Sequence, residues 1–314
     1  MTTTSVTIGA RPFKRPAPRV ALLVEEAGGD WHARRIRQAL EAHGVGVVTT
    51  TLEACAFDTR CASGLDIPGF DGTLPDGAFV RAISTGSLEQ ITKRLGILHA
   101  LRESGVRVWN DARTIERCVD KSIATFLFQK AGLPTPPTRV VEGLERARAH
   151  ARAVAGPLVV KPLFGSQGRG VQRIEQIEAL PPPAQMGDVY YLQEYLRRSG
   201  ETLFEDWRVL VSGGRVLAAM TRRGKTWITN VHQGALPIRH APDDEMQRLA
   251  LAATAAIGAD YAGVDLIGDP GGRLMVLEIN SNPAWKGLQS VTDINIAWTL
   301  AEDFIASLAE APCP

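Results

Sequence analysis

The chain is short of several things, and each shortage excludes a class of protein. It has four cysteines in 314 residues, Cys55, Cys61, Cys118 and Cys313. None forms a C-x-x-C pair and no Cys/His cluster has zinc spacing, so neither a disulfide framework nor a zinc module is expected. Sparse thiols fit a reducing cytoplasm, the expected location. No apolar run approaches the roughly 20 residues of a membrane span, so no membrane partner is expected. Net charge is only +1, which leaves no overall field to draw in nucleic acid. No G-x-G-x-x-G follows the first strand and no GK[ST] closes a glycine loop, so the Rossmann and Walker phosphate sites are missing. His232 has no evident Ser or Cys partner and receives no acid–base role. Internal repeats are absent as well.

What is present is ordinary for a globular chain, with 45% apolar and 22% charged residues. The length suggests two or three compact units. Residues 1–18 are rich in Thr, Pro and Arg, lack a hydrophobic signal-peptide centre, and read as a disordered tail. Arg19–Val24 then reads as a buried strand. Asp30 caps a helix through Trp31, Ile36 and Leu40 that ends at Gly44, and Val45–Thr50 is the next strand. Residues 54–75 read as loop. A third strand over Ala78–Ile83 precedes a helix capped by Ser87, with Leu88, Ile91, Leu95, Leu98 and Leu101 as its apolar face. Val106–Trp109 is a fourth strand. This rhythm implies a parallel α/β unit. Arg81, near a strand end, reads as a surface charge, with contact to an anionic substrate as the alternative.

The stretch Gly263–Pro283 carries the densest chemistry. Two apolar runs, Val264–Ile267 and Leu274–Ile279, flank a Gly-Asp-Pro-Gly-Gly-Arg turn, so a β-hairpin is predicted. Asp265, Glu278 and Asn280 interrupt its apolar character. With Ile267 paired to Leu274, Asp265 lies opposite Val276 and diagonal to Glu278. Two carboxylates and an amide form an oxygen set suited to Mg or Mn rather than Zn. An exposed polar hairpin face is the plainer reading.

Upstream, Asp120 caps a helix that carries Lys121 in its first turn, where the helix dipole disfavours a cation. An anionic ligand or a solvated lysine accounts for it. Lys161 sits on the strand Leu158–Pro162. It is followed by Gly165-Ser166-Gln167-Gly168-Arg169-Gly170, which returns to another strand. Such a loop is either a phosphate-covering flap or a tight hairpin with structural glycines. Strands follow over Val189–Tyr195, from Asp206 to Val211, and over Val216–Met220. Arg208 and Arg222 place guanidiniums near strand ends, as carboxylate or phosphate clamps or as solvated charges. Helices over Pro242–Ile257 and Asp293–Leu308 complete the chain.

Together these pieces resemble the ATP-grasp superfamily, and within it the RimK-type α-L-glutamate ligases. The matching motifs are Asp120-Lys121, VVKP at 159–162, GSQGRGV at 165–171, QEY at 193–195, DWR at 206–208, TNVHQGA at 229–235, GVDL at 263–266 and LEINSNP at 277–283. The resemblance implies an α/β (α+β) ATP-grasp fold. Its expected parts are a parallel pre-ATP-grasp domain over 19–114, a central subdomain over 115–190 and a C-terminal subdomain over 191–314. It further implies ATP and one or two Mg (or Mn) ions. Lys121 and Lys161 would meet phosphates, and Gly165, Ser166, Gln167, Gly168 and Gly170 would form the flap. Gln193, Glu194 and Tyr195 would lie at the adenine hinge, and Asp206 at the ribose. Arg208, Arg222 and Asn230 would serve phosphates and the acyl substrate, and Asp265, Glu278 and Asn280 the metal. The activity implied is an ADP-forming ligation of L-glutamate onto a small carboxylate-bearing acceptor. Relatives that act on tetrahydromethanopterin-type or methylofuran-type cofactors look most similar. Modification of a protein C-terminus or peptide, and a non-catalytic ATP-binding module, are the alternatives. A homo-oligomer is compatible with all of them. Ribosomal-protein-modifying members carry Arg-Ser-Asn-Leu-His where this chain has Ile228-Thr-Asn-Val-His, which points away from a ribosomal substrate.

Overall fold

The structure, a computed structural model, describes residues 17–26, 28–165, 168–196 and 203–310. Nearly all of the predicted tail lies outside these residues, as do Ser166, Gln167 and Cys313. Three sheets make up the frame.

The first sheet contains β1 (Arg19–Val24), β2 (Gly46–Thr51), β5 (Gly77–Val80) and β6 (Arg107–Trp109) in the order β2-β1-β5-β6, all parallel. Two short strands, β3 (Ala56–Phe57) and β4 (Leu65–Asp66), pair in the connection between β2 and β5. β1 is sealed on both faces, as its continuous apolar run demands. Helix α1 (Trp31–Ala42) starts at Asp30, whose carboxylate accepts from the Ala33 amide at 2.7 Å. Helix α2 (Leu88–Glu103) starts at a Ser87–Gln90 capping box. Its buried face differs from the predicted stripe. Arg94, Ile97, Leu98 and Leu101 turn inward, while Leu88 is 78% exposed. The cause is Arg94, which reaches in to donate to the Ser84 and Thr85 carbonyls at 3.2 and 3.0 Å.

Helices α3 (Ala112–Val119) and α4 (Lys121–Lys130) meet at Asp120, which ends one and caps the other. The second sheet is antiparallel, in the order β7-β10-β8-β9. It is built from β7 (Thr138–Glu142), β8 (Leu158–Lys161), β9 (Gln172–Ile174) and β10 (Val189–Glu194), with α5 (Leu144–Ala153) and the single turn α6 (Pro183–Met186) between them.

The third sheet is also antiparallel, in the order β13-β12-β11-β14-β15. It consists of β11 (Phe204–Ser212), β12 (Arg215–Gly224), β13 (Leu236–His240), β14 (Tyr261–Gly268) and β15 (Leu274–Asn280). Side chains alternate along β11 and β14. Val209, Val211, Val264, Leu266 and Val276 face a core closed by α7 (Asp244–Ile257) and α4. Asp206, Arg208, Gly263 and Asp265 therefore project from the opposite face.

The predicted hairpin forms with a different register. Gly268, not Ile267, pairs with Leu274, and a bulge beside Asp265 and Leu266 brings Asp265 directly opposite Glu278. An extra residue on one strand shifts every later pair, which the run lengths alone do not reveal.

After the single turn α8 (Lys286–Gln289), helix α9 (Ile296–Glu310) begins later than predicted, leaving Ile294 39% exposed. It packs on the first sheet. Leu300 and Phe304 share a core with Val20, Leu22, Ile36, Phe79 and Trp109. The Phe304 ring lies 5.3 Å from Phe79 and 5.8 Å from Trp109. A buried amide joins the first and third sheets a second time. Asn110 donates to the Tyr261 and Ser281 carbonyls at 2.8 Å each and accepts from the Asp260 amide at 2.6 Å.

Candidate active site

A cavity of about 1080 Å³ opens between the second and third sheets. Its wall includes Lys161, Gly168, Gln193, Glu194, Tyr195, Asp206, Arg208, Arg222, Asn230, Asp265, Glu278 and Asn280. Most of the side chains singled out in the sequence thus converge. Lys121 lies just beyond, in a smaller recess that it shares with Lys161 and Glu278.

The two lysines enter from different elements. Lys121 opens α4, and its Nζ donates to the Leu163 and Gly165 carbonyls at 3.2 and 3.0 Å, gripping the base of the glycine loop. Lys161 ends β8 and is 8% exposed. Its Nζ donates to Gln193 Oε1 at 2.7 Å and sits 5.5 Å from the centre of the Tyr191 ring. Burial lowers the pKa of both ammonium groups, and the negative field of Glu278 works against that in each. For Lys161 the result is about 8. Two depressed lysines around one carboxylate mark a place where more negative charge would be welcome.

The glycine loop runs between two antiparallel strands, β8 and β9, as predicted. Gly168 and Gly170 both adopt left-handed backbone, with φ of +71° and +72°. A Cβ on Gly168 would lie 2.8 Å from Gln233 Nε2, and one on Gly170 would lie 2.9 Å from Pro162 Cγ. The loop therefore rests on the segment 228–233 across the cavity, at positions where only glycine fits.

Gln193 faces inward as a prop. While accepting from Lys161, it donates to Thr138 Oγ1 at 3.0 Å. The amides of Glu194 and Tyr195 are taken by the Pro137 and Pro157 carbonyls at 2.9 and 3.1 Å. The Tyr195 ring carries the Arg173 guanidinium at 4.5 Å and meets Trp227 edge-on at 5.8 Å.

On the third sheet the charges form a buried lattice. Arg208 grips Asp265 through two bonds of 2.7 Å. Arg222 grips Asp206 through two bonds of 2.6 Å and reaches Asp265 Oδ2 at 2.9 Å. Thr229 adds a donor to Asp206 at 2.5 Å. Burial works to raise the Asp265 carboxyl, but Arg208 and Arg222 overcome it and hold its pKa below the usual range. Burial raises the Asp206 carboxyl; Arg222 opposes that and the neighbouring Asp265 charge adds to it. Arg222 is pushed above the ordinary arginine value because the two carboxylates outweigh its own burial. Asp206 is 3% exposed, with both oxygens occupied inside this lattice.

Arg208 and Arg222 hold both Asp265 oxygens, so the offer to a hard divalent cation comes from Glu278 and Asn280. Asp265 and Glu278 are paired across the hairpin. Among the described residues no hydrogen bond or ion pair reaches the Glu278 carboxylate, and the Asn280 amide nitrogen is buried without a partner. An amide so placed can turn its oxygen toward a cation. Among the described residues no three His, Cys, Asp or Glu side chains gather to hold a metal without help. Mg²⁺ asks for less than that, taking one or two carboxylates and completing its shell with phosphate and water. Asn230 caps the turn 231–233, accepting from the His232 amide at 2.8 Å.

Other contributors are not evident in the sequence. His32 lines the cavity from α1, and its Nε2 accepts from the Trp285 and Lys286 amides at 3.1 and 3.3 Å. Two donors at Nε2 fix the proton on Nδ1, which donates to Asp30 at 2.8 Å. The Asp30-His32 spacing on a capped helix is the only local trace of this. Cys118 lies beneath Glu278 in the smaller recess, its thiol pushed up to about 12 by burial. Among the described residues Cys55, Cys61 and Cys118 are all free.

Comparison with known proteins adds a family. A model described as the RimK-like ATP-grasp domain matches residues 118–304. A tetrahydromethanopterin:alpha-L-glutamate ligase of Methanococcus maripaludis is 34% identical over 232 residues, covering 72% of this chain and 77% of that protein. A probable alpha-L-glutamate ligase of Legionella pneumophila is 30% identical over 284 residues, covering 86% of this chain and 89% of that one. In fold, the chain is similar to the ATP-grasp ligase PsnB, solved with minimal precursor, Mg and ADP. The TM-score is 0.69 at 19% identity, covering 93% of this chain and 98% of that chain.

Proposed function

This chain belongs to the RimK-like ATP-grasp family, and from that premise we propose that it joins L-glutamate to a small carboxylate-bearing acceptor. The reaction consumes ATP and releases ADP and phosphate. The observation that carries this reading is the meeting of Lys121, Lys161 and Glu278 below a glycine loop. That is a built reception for a triphosphate and its cation.

A carboxylate is a poor electrophile. Its oxygen takes the γ-phosphoryl group, the bond from that group to ADP breaks, and an acyl phosphate results. The lysines spread the charge gathering on the phosphoryl oxygens. Asp265, Glu278 and Asn280 would hold one or two Mg²⁺ ions, which supply further charge neutralisation when bound. Arg208 and Arg222, set in the cavity wall by Asp265 and Asp206, would supply positive charge to the acyl phosphate. Asn230 faces the same space. The glutamate amine attacks the carbonyl carbon, phosphate leaves, and the surplus proton passes to solvent. The glycine loop, seated on residues 228–233, shields the acyl phosphate from water. The adenine lies toward Glu194 and Tyr195. The acceptor is a one-carbon-carrier cofactor of the type named for the methanococcal relative.

Small-molecule extracts incubated with enzyme, ATP, Mg and L-glutamate, then read by mass spectrometry, should show acceptors heavier by glutamyl residues. Release of AMP and pyrophosphate would reject the acyl-phosphate route. A product found only on peptides would move the acceptor to a protein C-terminus. Glu278→Ala should lower turnover by roughly a thousandfold or more, because several kcal/mol of charge stabilisation are lost, with the melting temperature unchanged.

A further inference from the structure

The first sheet offers a position that the ATP chemistry does not use. Its order, β2-β1-β5-β6, reverses direction between β1 and β5. In open parallel sheets the crevice at such a reversal, beyond the carboxyl ends of the strands, is where ligands bind. The segment after β1 leads to Asp30 and His32. The residue after β5 is Arg81.

Arg81 is not the surface charge that its sequence position suggests. It is 9% exposed. Its Nη1 makes a long bond of 3.4 Å to the Tyr261 hydroxyl, and its Nε is buried with no partner. Among the described residues no carboxylate comes within ion-pair distance. The Asp30 charge responds to its field, but the Asp30 oxygens serve the Ala33 amide and His32. A cation taken from water without a counterion is costly unless a ligand supplies one. The position is also held still, because Arg94 fastens the carbonyls of residues 83–85 just beyond it.

Arg81 itself is not among the residues that line the cavity; two side chains lead from it to one that does. The Tyr261 hydroxyl, which accepts from Arg81, meets Asn282 at 3.1 Å. With the Asn282 amide turned to donate to Val80 O at 2.8 Å and to Tyr261, its oxygen is released on the other side. Asn282 lines the cavity, as do His32 and Lys286. Tyr261 stands four residues before Asp265 on β14, roughly 13 Å along the strand.

We infer that Arg81, at the reversal of the first sheet and joined through Tyr261 to the cavity residue Asn282, forms a subsite for a carboxylate of the amino-acid substrate. This rests on the ligase reading above. The chemistry requires such a device. The attacking amino acid carries carboxylates of its own, and one left near the γ-phosphate would be phosphorylated in the acceptor's place. A cation set apart from the two lysines holds those carboxylates back and turns the amine forward.

The test is calorimetric titration of L-glutamate into the full chain saturated with ADP and Mg, comparing wild type, Arg81→Gln and Arg81→Lys. Arg81→Gln should weaken L-glutamate about ten- to a hundredfold, the loss of one charge-assisted contact, and leave ADP affinity unchanged. Arg81→Lys should recover part of the loss. In wild type one of the two amides, L-glutamine or isoglutamine, should bind as weakly as L-glutamate binds to Arg81→Gln. Equal binding of L-glutamate by a natively melting Arg81→Gln overturns the subsite and leaves the ligase reading standing. Parallel loss of ADP and L-glutamate affinity makes Arg81 structural and also overturns it, as does a wild type that binds no amino acid. A wild type that prefers another amino acid, with the same loss in Arg81→Gln, upholds the subsite and removes glutamate.

Discussion

Raising the pH should act on Lys161 with opposite signs in the free and the nucleotide-bound protein. In the free protein, burial outweighs the attraction of Glu278 and lowers the ammonium pKa from 10.5 to about 8, with Lys121 adding to the effect. Phosphate oxygens brought beside it favour the charged form and restore a higher value. Above pH 8, binding therefore takes up a proton, and nucleotide affinity should fall by up to about tenfold for each further pH unit. The stability sign is the reverse. Below pH 8 the lysine is charged in both folded and unfolded chains, and its burial costs roughly 3 kcal/mol, at about 1.4 kcal/mol per pKa unit. The unfolded chain holds its proton up to about pH 10.5, so that cost fades between pH 8 and 10.5 and the free protein gains stability there. Calorimetry with ADP and Mg, in two buffers of different ionisation heat at about pH 7 and about pH 9, reads the proton directly. Lys161→Arg keeps its charge at every pH and should give a flat profile. An unchanged wild-type affinity with no proton uptake, or the same slope in Lys161→Arg, would refute the reasoning.

Other outcomes follow from the buried lattice and the loop. Asp206→Asn removes a carboxylate that accepts two bonds of 2.6 Å from Arg222. It should destabilise the fold by roughly 3–5 kcal/mol in urea unfolding, and a change below 1 kcal/mol would show that the lattice is not coupled. Gly170→Ala forces a Cβ to within 2.9 Å of Pro162 at a φ of +72°. Ligation should fall while ADP still binds, with a stability cost of about 1–2 kcal/mol, and an unaffected rate would sink the loop's shielding role. Asn110→Ala unpairs two carbonyls and two amides between the first and third sheets. Thermal unfolding should show a loss of about 2–4 kcal/mol, with the cavity residues untouched.

Much of the frame was legible because its signals are local. Asp30, Ser87 and Asp120 all cap helices, as their polarity before apolar runs implied. The uninterrupted RVALLV gave β1 to the residue. Helix α5 offered no such pattern, since its Arg- and Ala-rich sequence buries only Ala147. Strand β13 carries a proline on an edge and keeps Leu236 exposed, so no alternation appears. At the site, residue types were readable but their commitments were not. Asp265 is held by arginines 57 and 43 positions away. Arg81 is buried against Tyr261, 180 positions away, and nothing near it in the chain says so.

The packing of α9 on the first sheet has a consequence for how the protein is made. Synthesis yields β1, β5 and β6 early, yet one face of that sheet, with Val20, Leu22, Phe79 and Trp109, receives its cover from Leu300 and Phe304. A ribosome must therefore have passed Phe304 before that apolar surface is closed. Until then the nascent chain presents a sticky face to its surroundings, which invites chaperone binding or aggregation. The first sheet is thus translated well before it is finished.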